Sequence, residues 1–501
     1  MNLYNSFAKA FAENHDKTAL RVPERELTLT FSELERLSAQ MANLLLEQGL
    51  NAGDRVAVQV EKSPEALALY LAVLRAGGVY LPLNTAYMPD ELAYFVGNAE
   101  PGIVVATQRQ MPVFQQIRHD TGCVFQMLTL EADGGGSLTT AAQVHAETFA
   151  SVERDDSDIA AILYTSGTTG RPKGAMISHG NLSSNARVLG EYWGWQKDDV
   201  LLHALPIFHV HGLFVACNIS LSQGTEMIYL SRLDIDEMIR QLPASTVLMG
   251  VPTFYTRLLA DPRFDSELVK NMRLFVSGSA PLLEETFAEF EARTGHQILE
   301  RYGMTETGMN TSNPLNGERL PGTVGFPLPG TSVRIVDADG KVLAANEVGS
   351  LQVKGPNVFA GYWRMPEKTA SEFSSDGYFI TGDLGKIDDQ GYVSIVGREK
   401  DLIISGGYNI YPKEVEMVLN EIDGVLESAV FAFKDKDFGE GVAAAIVTDG
   451  SASVTDTAIK GICKGRLAGY KLPRKIVMLE ELPRNTMGKV QKNILREKYG
   501  S

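Results

Sequence analysis

Short apolar runs at residues 56–60, 79–83 and 103–106 alternate with stretches of helical periodicity at 33–46 and 65–74. A run of four or five apolar residues without a polar face must be buried on both sides. Successive runs joined by helix-length segments pair in parallel, so parallel sheet covered by helices is expected. The rhythm continues with a strand at 246–249, a helix around 255–259, a strand at 274–277 and a helix near 283–293. Beyond about residue 321 the spacing shortens and Gly, Pro and Asp turns multiply. Runs at 332–336, 350–353 and 392–396 then predict a mostly antiparallel β subdomain. One core ends near Gly397-Arg398-Glu399-Lys400, and the runs at 415–419, 428–433, 443–447 and 475–479 predict a small α+β module. A chain of 501 residues, 44% hydrophobic, has material for more than one core.

Within this frame one loop carries chemistry. Tyr164-Thr165-Ser166-Gly167-Thr168-Thr169-Gly170-Arg171-Pro172-Lys173-Gly174 concentrates glycines, hydroxyls and two cations. Backbone N–H groups, hydroxyls and charges of this kind can wrap a triphosphate. Residues 159–163 before it and Ala175-Met176-Ile177-Ser178 after it read as strands, so the loop is expected to join neighbouring strands. A Walker loop differs, because its lysine is followed by Ser or Thr and opens a helix. Here Gly174 follows Lys173. The segment points to a user of nucleotides.

Composition removes several other classes. A formal charge of -16 argues against nonspecific binding to nucleic acid or anionic lipid. Cys123, Cys217 and Cys463 are far apart and form no metal-ligand or redox spacing, so free thiols in a reducing, cytoplasmic setting are expected, with Cys217 in a core. The start Met1-Asn2-Leu3-Tyr4-Asn5-Ser6-Phe7 lacks a cationic region and a long apolar segment, and no uncharged stretch is long enough to span a bilayer. Neither a nucleic-acid partner nor integral membrane association is expected.

Further segments follow in order: Gly278-Ser279-Ala280-Pro281-Leu282, Tyr302-Gly303-Met304-Thr305-Glu306-Thr307, Tyr378-Phe379-Ile380-Thr381-Gly382-Asp383, Gly397-Arg398-Glu399-Lys400-Asp401 and Pro483-Arg484-Asn485-Thr486-Met487-Gly488-Lys489. With the loop they resemble the motifs of the acyl-adenylate-forming superfamily, which comprises acyl-CoA synthetases, peptide-synthetase adenylation domains and beetle luciferases. The resemblance runs over essentially the whole chain. It implies an α/β and α+β fold: a large N-terminal domain over 1–397, with two α/β sheet subdomains and a β subdomain, a hinge at 398–400, and a small mobile α+β domain over 401–501. It also implies two half-reactions, in which a carboxylate attacks the α-phosphate of ATP and the thiol of coenzyme A then displaces AMP.

The same resemblance implies roles for individual residues. Thr165 and Glu306 position Mg2+, while Ser166, Gly167, Thr168, Thr169, Gly170 and Lys173 cradle phosphates. Ser279, Ala280 and Pro281 form a wall beside the adenine, Tyr302 offers it an aromatic face, and Gly303 and Thr305 belong to the same segment. Asp383 accepts hydrogen bonds from the ribose hydroxyls, with Arg398 as a second ribose contact; a turn-forming Asp383 is the plainer alternative. Lys489 matches the lysine that contacts the carboxylate and the α-phosphate. A solvated lysine in a basic tail with Lys492, Arg496 and Lys498 is its plainer counterpart. Lys400 matches the hinge, and Gly406 and Gly407 resemble the loop lining the pantetheine tunnel.

Two arginines bear on the acid. Arg301 directly precedes the adenine segment, where relatives that accept apolar acids tend to carry small or apolar residues, so the resemblance implies a cation in the acyl pocket. Pro252 and Thr253 read as a helix start, and Arg257 lies one turn beyond Thr253 on the same face. Two buried guanidiniums would need anionic partners, since an unpaired buried charge costs several kcal/mol. A second carboxylate on the substrate, or protein carboxylates elsewhere, would supply them. In Leu205-Pro206-Ile207-Phe208-His209-Val210-His211-Gly212, His209 matches the residue that borders the acyl site; Ser279 is counted on the acid side as well. The whole set resembles malonyl-CoA synthetases, so malonate or its homologue methylmalonate is expected, with an acetyl- or fatty-acyl-CoA synthetase as the alternative. A peptide-synthetase domain would carry an aspartate for an ammonium group and a following carrier domain, and neither is expected here. A nonenzymatic nucleotide sensor would have lost Lys489 or Glu306. The expected partners are therefore a small dicarboxylate, ATP and CoA, acting on a monomer or homodimer.

Overall fold

The runs at 56–60, 79–83 and 103–106 form strands Arg55–Gln59, Val79–Pro82 and Ile103–Ala106, which pair in parallel. They belong to a seven-stranded sheet ordered Gly361–Tyr362, Lys173–Ser178, Ile159–Thr165, Val79–Pro82, Arg55–Gln59, Ile103–Ala106, Gln126–Thr129. The two pairings made by Lys173–Ser178 are antiparallel and the remainder parallel. A second sheet has nine strands in the order Phe326–Pro327, Gly308–Ser312, Leu299–Met304, Leu274–Ser277, Val247–Gly250, Val200–His203, Glu226–Tyr229, Thr18–Val22, Leu27–Thr30. Its six inner strands are parallel, and the pairings toward both edges are antiparallel. The structure is a computed structural model that describes residues 1–165, 172–405, 408–435, 438–451, 454–485 and 488–500. Both sheets lie in one compact unit, Met1–Val333 with Val353–Phe379; Arg334–Gln352 with Ile380–Ser501 forms another.

Helix Pro64–Arg75 shows how the first unit is built. Its sequence Pro-Glu-Ala-Leu-Ala-Leu-Tyr-Leu-Ala-Val-Leu-Arg is apolar on every side, and every residue but Glu65 is buried. A helix without a polar face has to be enclosed. Ser63 caps it by accepting from the Ala66 N–H, and Glu65 pairs with Arg25 at 2.8 Å.

Immediately before that cap, buried Lys62 donates from Nζ to His203 Nδ1 at 2.7 Å and to the His203 carbonyl at 2.8 Å, and sits 4.2 Å from the centroid of the Tyr229 ring. His203 Nε2 in turn lies 2.8 Å from the Gly212 carbonyl and 3.3 Å from Cys217 Sγ. Cys217 is fully buried, as its apolar surroundings predict, and burial pushes its thiol up to about 12. Burial pulls the Lys62 ammonium down to about 7. In the unfolded chain the same group titrates near 10.4, so between these values the unfolded state holds a proton that the folded state does not. The Lys62 contribution to stability must therefore rise with pH, by up to about 1.4 kcal/mol per pH unit. Urea unfolding of wild type and Lys62→Met from pH 7 to 10 should show a stability difference that moves in favour of the wild type as pH rises; a constant difference would refute a charge-sensitive Lys62.

The β subdomain consists of Ser332–Val336, Gly349–Lys354, Phe379–Ile387 and Val393–Arg398, the last two antiparallel. In the C-terminal module, Val425–Asp435 and Gly439–Thr448 form a long antiparallel pair flanked by Ile403–Ser405, Tyr408–Ile410 and the parallel strand Lys475–Leu479. The segment 415–419 falls inside helix Pro412–Asn420, whose buried side is Pro412, Val415 and Leu419. No helix of the described residues is long and apolar enough to cross a membrane.

Candidate active site

Open parallel sheets bind ligands outside the carboxyl ends of their strands. The nine-stranded sheet presents there the segment after Val200–His203, which carries His209 and His211, the start of helix Pro252–Leu259, and Gly278-Ser279-Ala280-Pro281 after Leu274–Ser277. Arg301 and Tyr302 lie within the neighbouring strand Leu299–Met304, and Glu306 follows it. Two glycines permit the close packing. A Cβ on Gly212 would stand 2.0 Å from the Pro206 carbonyl oxygen, so the chain folds tightly back on itself where the π-helical turn His211–Cys217 begins. A Cβ on Gly278 would stand 2.4 Å from Arg301 Cζ, so the guanidinium lies against bare backbone.

Arg301 is 4% exposed. Its Nε and Nη2 are buried without a hydrogen-bond partner, and no carboxylate among the described residues pairs with it. Burial pulls its pKa down to about 9, which leaves it a cation at neutral pH. His211, 2% exposed, has Nδ1 3.4 Å from Ser279 Oγ and an Nε2 without a partner among the described residues. Burial first, and then the Arg301 charge, hold its pKa well below the usual histidine value. His209 is half-buried and accepts at Nδ1 from the His211 backbone N–H at 3.4 Å. Ser279 has φ +70°, an uncommon conformation for a residue with a side chain. Arg257 does not share this environment. Phe254, Tyr255, Leu258 and Leu259 form the buried side of its helix, leaving Arg257 exposed.

At the seven-stranded sheet, Thr165 and Lys173 are cross-strand partners that close the Gly/Thr-rich loop, so the loop joins adjacent antiparallel strands as expected. Ser166, Gly167, Thr168, Thr169 and Gly170 lie outside the described residues. Thr165 Oγ1 donates to Glu306 Oε1 at 3.3 Å. The Tyr362 hydroxyl contacts Glu306 Oε1 at 3.1 Å and Glu372 Oε2 at 2.6 Å, and Lys173 Nζ donates to Glu372 Oε1 at 2.8 Å. Lys368 also pairs with Glu372, at 2.7 Å. Two cations thus neutralise Glu372, and buried Glu306 lies beside the Thr165 and Tyr362 hydroxyls. One carboxylate and one hydroxyl, completed by waters and phosphate oxygens, is a donor set that Mg2+ accepts. No cluster of three His, Cys, Asp or Glu able to enclose a metal occurs among the described residues.

Tyr302 is half-buried, with its hydroxyl 3.9 Å from the Met304 sulfur. Gly303 packs against the Gly308 carbonyl, where a Cβ would approach to 2.1 Å. Thr305 and Ala280 are half-buried and Pro281 is exposed. In the second unit, Asp383 lies inside strand Phe379–Ile387 rather than in a turn, opposite Arg398, whose Nε reaches its Oδ1 at 2.7 Å. Lys400 is exposed in the short turn Glu399–Asp401. Gly406 and Gly407 lie outside the described residues. Lys489 is exposed; the Asn485 side chain accepts from its backbone N–H at 2.9 Å, the Asn485 N–H donates to its carbonyl at 2.9 Å, and Gly488 before it takes φ +74°.

The model of the AMP-binding enzyme family matches residues 7–363, and that of the AMP-binding enzyme C-terminal domain matches 414–489. This chain belongs to the AMP-binding enzyme family. Similar relatives include a malonate–CoA ligase of Arabidopsis thaliana, 35% identical over 89% of this chain and 78% of that protein, and a long-chain-fatty-acid–CoA ligase of Bacillus subtilis, 33% identical over 96% and 92%. Among solved structures, ATP-bound MatB from Rhodopseudomonas palustris superposes with a TM-score of 0.97 at 54% identity, covering 100% of this chain and 99% of that one.

In this AMP-binding enzyme, sequence reasoning missed Tyr362 and Glu372, which bridge Glu306 and Lys173. No local signal marks them, since the contact joins residues 56 and 199 positions apart. The contact between Gly278 and Arg301 is equally invisible in sequence, and it makes a test. Gly278→Ala would push the guanidinium aside, and losing one charge-assisted hydrogen bond costs about 1.5–3 kcal/mol. The Michaelis constant for an acid held by Arg301 should rise about 10- to 100-fold. An equal rise for ATP would trace the damage to the adjoining segment Ser279-Ala280-Pro281 instead.

Proposed function

We propose that this AMP-forming acid–CoA ligase uses malonate, joining it to coenzyme A through malonyl-adenylate with release of AMP and pyrophosphate. The observation that carries the reading is Arg301, a buried guanidinium with two nitrogens unpartnered and no carboxylate beside it among the described residues. A monocarboxylic acid activated at its single carboxylate would leave that charge uncompensated. The second carboxylate of malonate satisfies both the charge and the unmade hydrogen bonds, which is how a site rejects an analogue that lacks the group. The relative named for malonate agrees with this reading. Methylmalonate belongs to the same proposal, since one methyl group is worth only about 1–3 kcal/mol in a pocket.

The chemistry assigns roles to residues of this chain. In the first half-reaction a malonate carboxylate oxygen bonds to the α-phosphorus of ATP and pyrophosphate leaves. Negative charge gathers on the phosphoryl oxygens, so fixed cations and donors dominate the acceleration. Thr165 and Glu306 would hold Mg2+, which supplies charge neutralisation at the phosphates. Lys173 would exchange Glu372 for a phosphate oxygen, and Lys489 would stabilise the reacting α-phosphate. Tyr302 and Ser279-Ala280-Pro281 would receive the adenine, Asp383 and Arg398 the ribose, and His209 the edge of the acid. In the second half-reaction the CoA sulfur bonds to the acyl carbon and AMP leaves, with Gly406 and Gly407 along the thiol path and Lys400 as the hinge. A cytoplasmic setting belongs to the same reading.

The direct test is AMP release from ATP, Mg2+ and CoA with acetate, malonate, methylmalonate, succinate and octanoate. Turnover confined to malonate and its methyl homologue is the expected result. Equal turnover of acetate or octanoate would overturn the malonate assignment and favour a ligase for monocarboxylic acids.

A further inference from the structure

We propose that His211 is a positioning residue for acid recognition: as the Nδ1–H tautomer it donates to Ser279 Oγ, so that the Ser279 hydroxyl proton is turned toward the second carboxylate held by Arg301. The inference rests on the malonate reading above and extends it to a residue outside the direct contacts.

His211 stays neutral at working pH because it is buried beside a cation. A neutral imidazole carries one N–H, and the surroundings decide which nitrogen holds it. Nε2 has no hydrogen-bond partner among the described residues, whereas Nδ1 faces Ser279 Oγ at 3.4 Å. A proton on Nε2 would strand a buried donor, which proteins tolerate less well than an unused acceptor. A proton on Nδ1 uses the Ser279 Oγ acceptor and leaves a lone pair at Nε2. Once Ser279 Oγ accepts that bond, its own hydrogen is directed elsewhere and is available to an anion.

The backbone supports the assignment. Ser279 keeps a side chain at φ +70°, where glycine would be the relaxed choice, and such conformations persist where surrounding structure enforces them. His211 itself is held by the turn that Gly212 allows against the Pro206 carbonyl, and by the Gly212 carbonyl beside His203 Nε2. The serine hydroxyl and the guanidinium then form a paired donor set in which one member is charged and the other is aimed by a neutral histidine.

The test uses the geometry of amides that mimic one imidazole nitrogen each. The Asn side-chain nitrogen stands near the place of Nδ1, and that of Gln near Nε2. The measurement is the ratio of kcat/KM for malonate over propionate in the full-length enzyme, for wild type, His211→Asn, His211→Gln and His211→Ala. The expected result is a ratio kept within about threefold by His211→Asn and reduced about tenfold or more by His211→Gln and His211→Ala, the size of one lost bond to an ionic partner. A ratio unchanged in all three variants, lost equally in all three, or kept by Gln and lost by Asn would overturn the role of Nδ1. A wild type that does not prefer malonate would instead overturn the malonate reading itself, whatever the variants do.

Discussion

Arg301→Ala is expected to lower kcat/KM for malonate by about 10²- to 10⁴-fold and to invert the preference between malonate and acetate. The size follows from two charge-assisted hydrogen bonds at about 1.5–3 kcal/mol each. The inversion follows from burial: the guanidinium has no protein carboxylate among the described residues, so its removal leaves no protein charge stranded. That differs from breaking a protein ion pair, where the surviving partner carries the penalty. Arg301→Lys should recover little, because an ammonium cannot present two parallel N–H groups to one carboxylate. AMP-release kinetics with both acids decide the matter. Equal losses for malonate and acetate would make Arg301 a structural residue of strand Leu299–Met304.

Replacing Lys489 by Ala should separate the two half-reactions. Removing one preorganised donor from a charge-developing centre typically costs about 10²–10³ in rate, so adenylate formation, followed by pyrophosphate exchange, should fall by that much. Conversion of preformed malonyl-adenylate and CoA to thioester should persist, since that step forms no bond to phosphorus. The hydrogen bonds between Asn485 and Lys489 use the Lys489 backbone and not its side chain, so the substitution keeps both of them. Adenylate formation at the wild-type rate would return Lys489 to the role of a solvated tail residue, and parallel loss of both half-reactions would point to damage of the fold.

Much of the architecture was legible in the sequence because burial on both faces leaves an unmistakable pattern. Residues 103–106 and 274–277, buried throughout, fold as the strands that were expected, to the residue, and the expected strand at 332–336 forms as well. The Gly/Thr loop was legible for a similar reason, since both flanks are apolar and its ends are cross-strand partners. Contacts between distant segments were not. Tyr362 reaches Glu306 because the short strand Gly361–Tyr362 pairs with Met176 and Ala175, a long-range pairing that leaves no periodic trace. His211 was harder still. A histidine in an apolar stretch is ordinarily a core residue, and only the unfilled Nε2 and the serine opposite Nδ1 distinguish it. The two arginines looked alike in sequence, and the helix turns one outward while the strand buries the other.

The unpaired guanidinium also sets stability and specificity against each other. An apolar side chain of similar volume at position 301 would spare the fold the cost of a desolvated charge, and such exchanges often make proteins more robust. Selection for heat resistance alone would therefore erase Arg301. A lineage that keeps the arginine accepts a less durable empty enzyme in return for chemical discrimination, and one that drifts toward monocarboxylic acids would become sturdier as it forgets the second carboxylate.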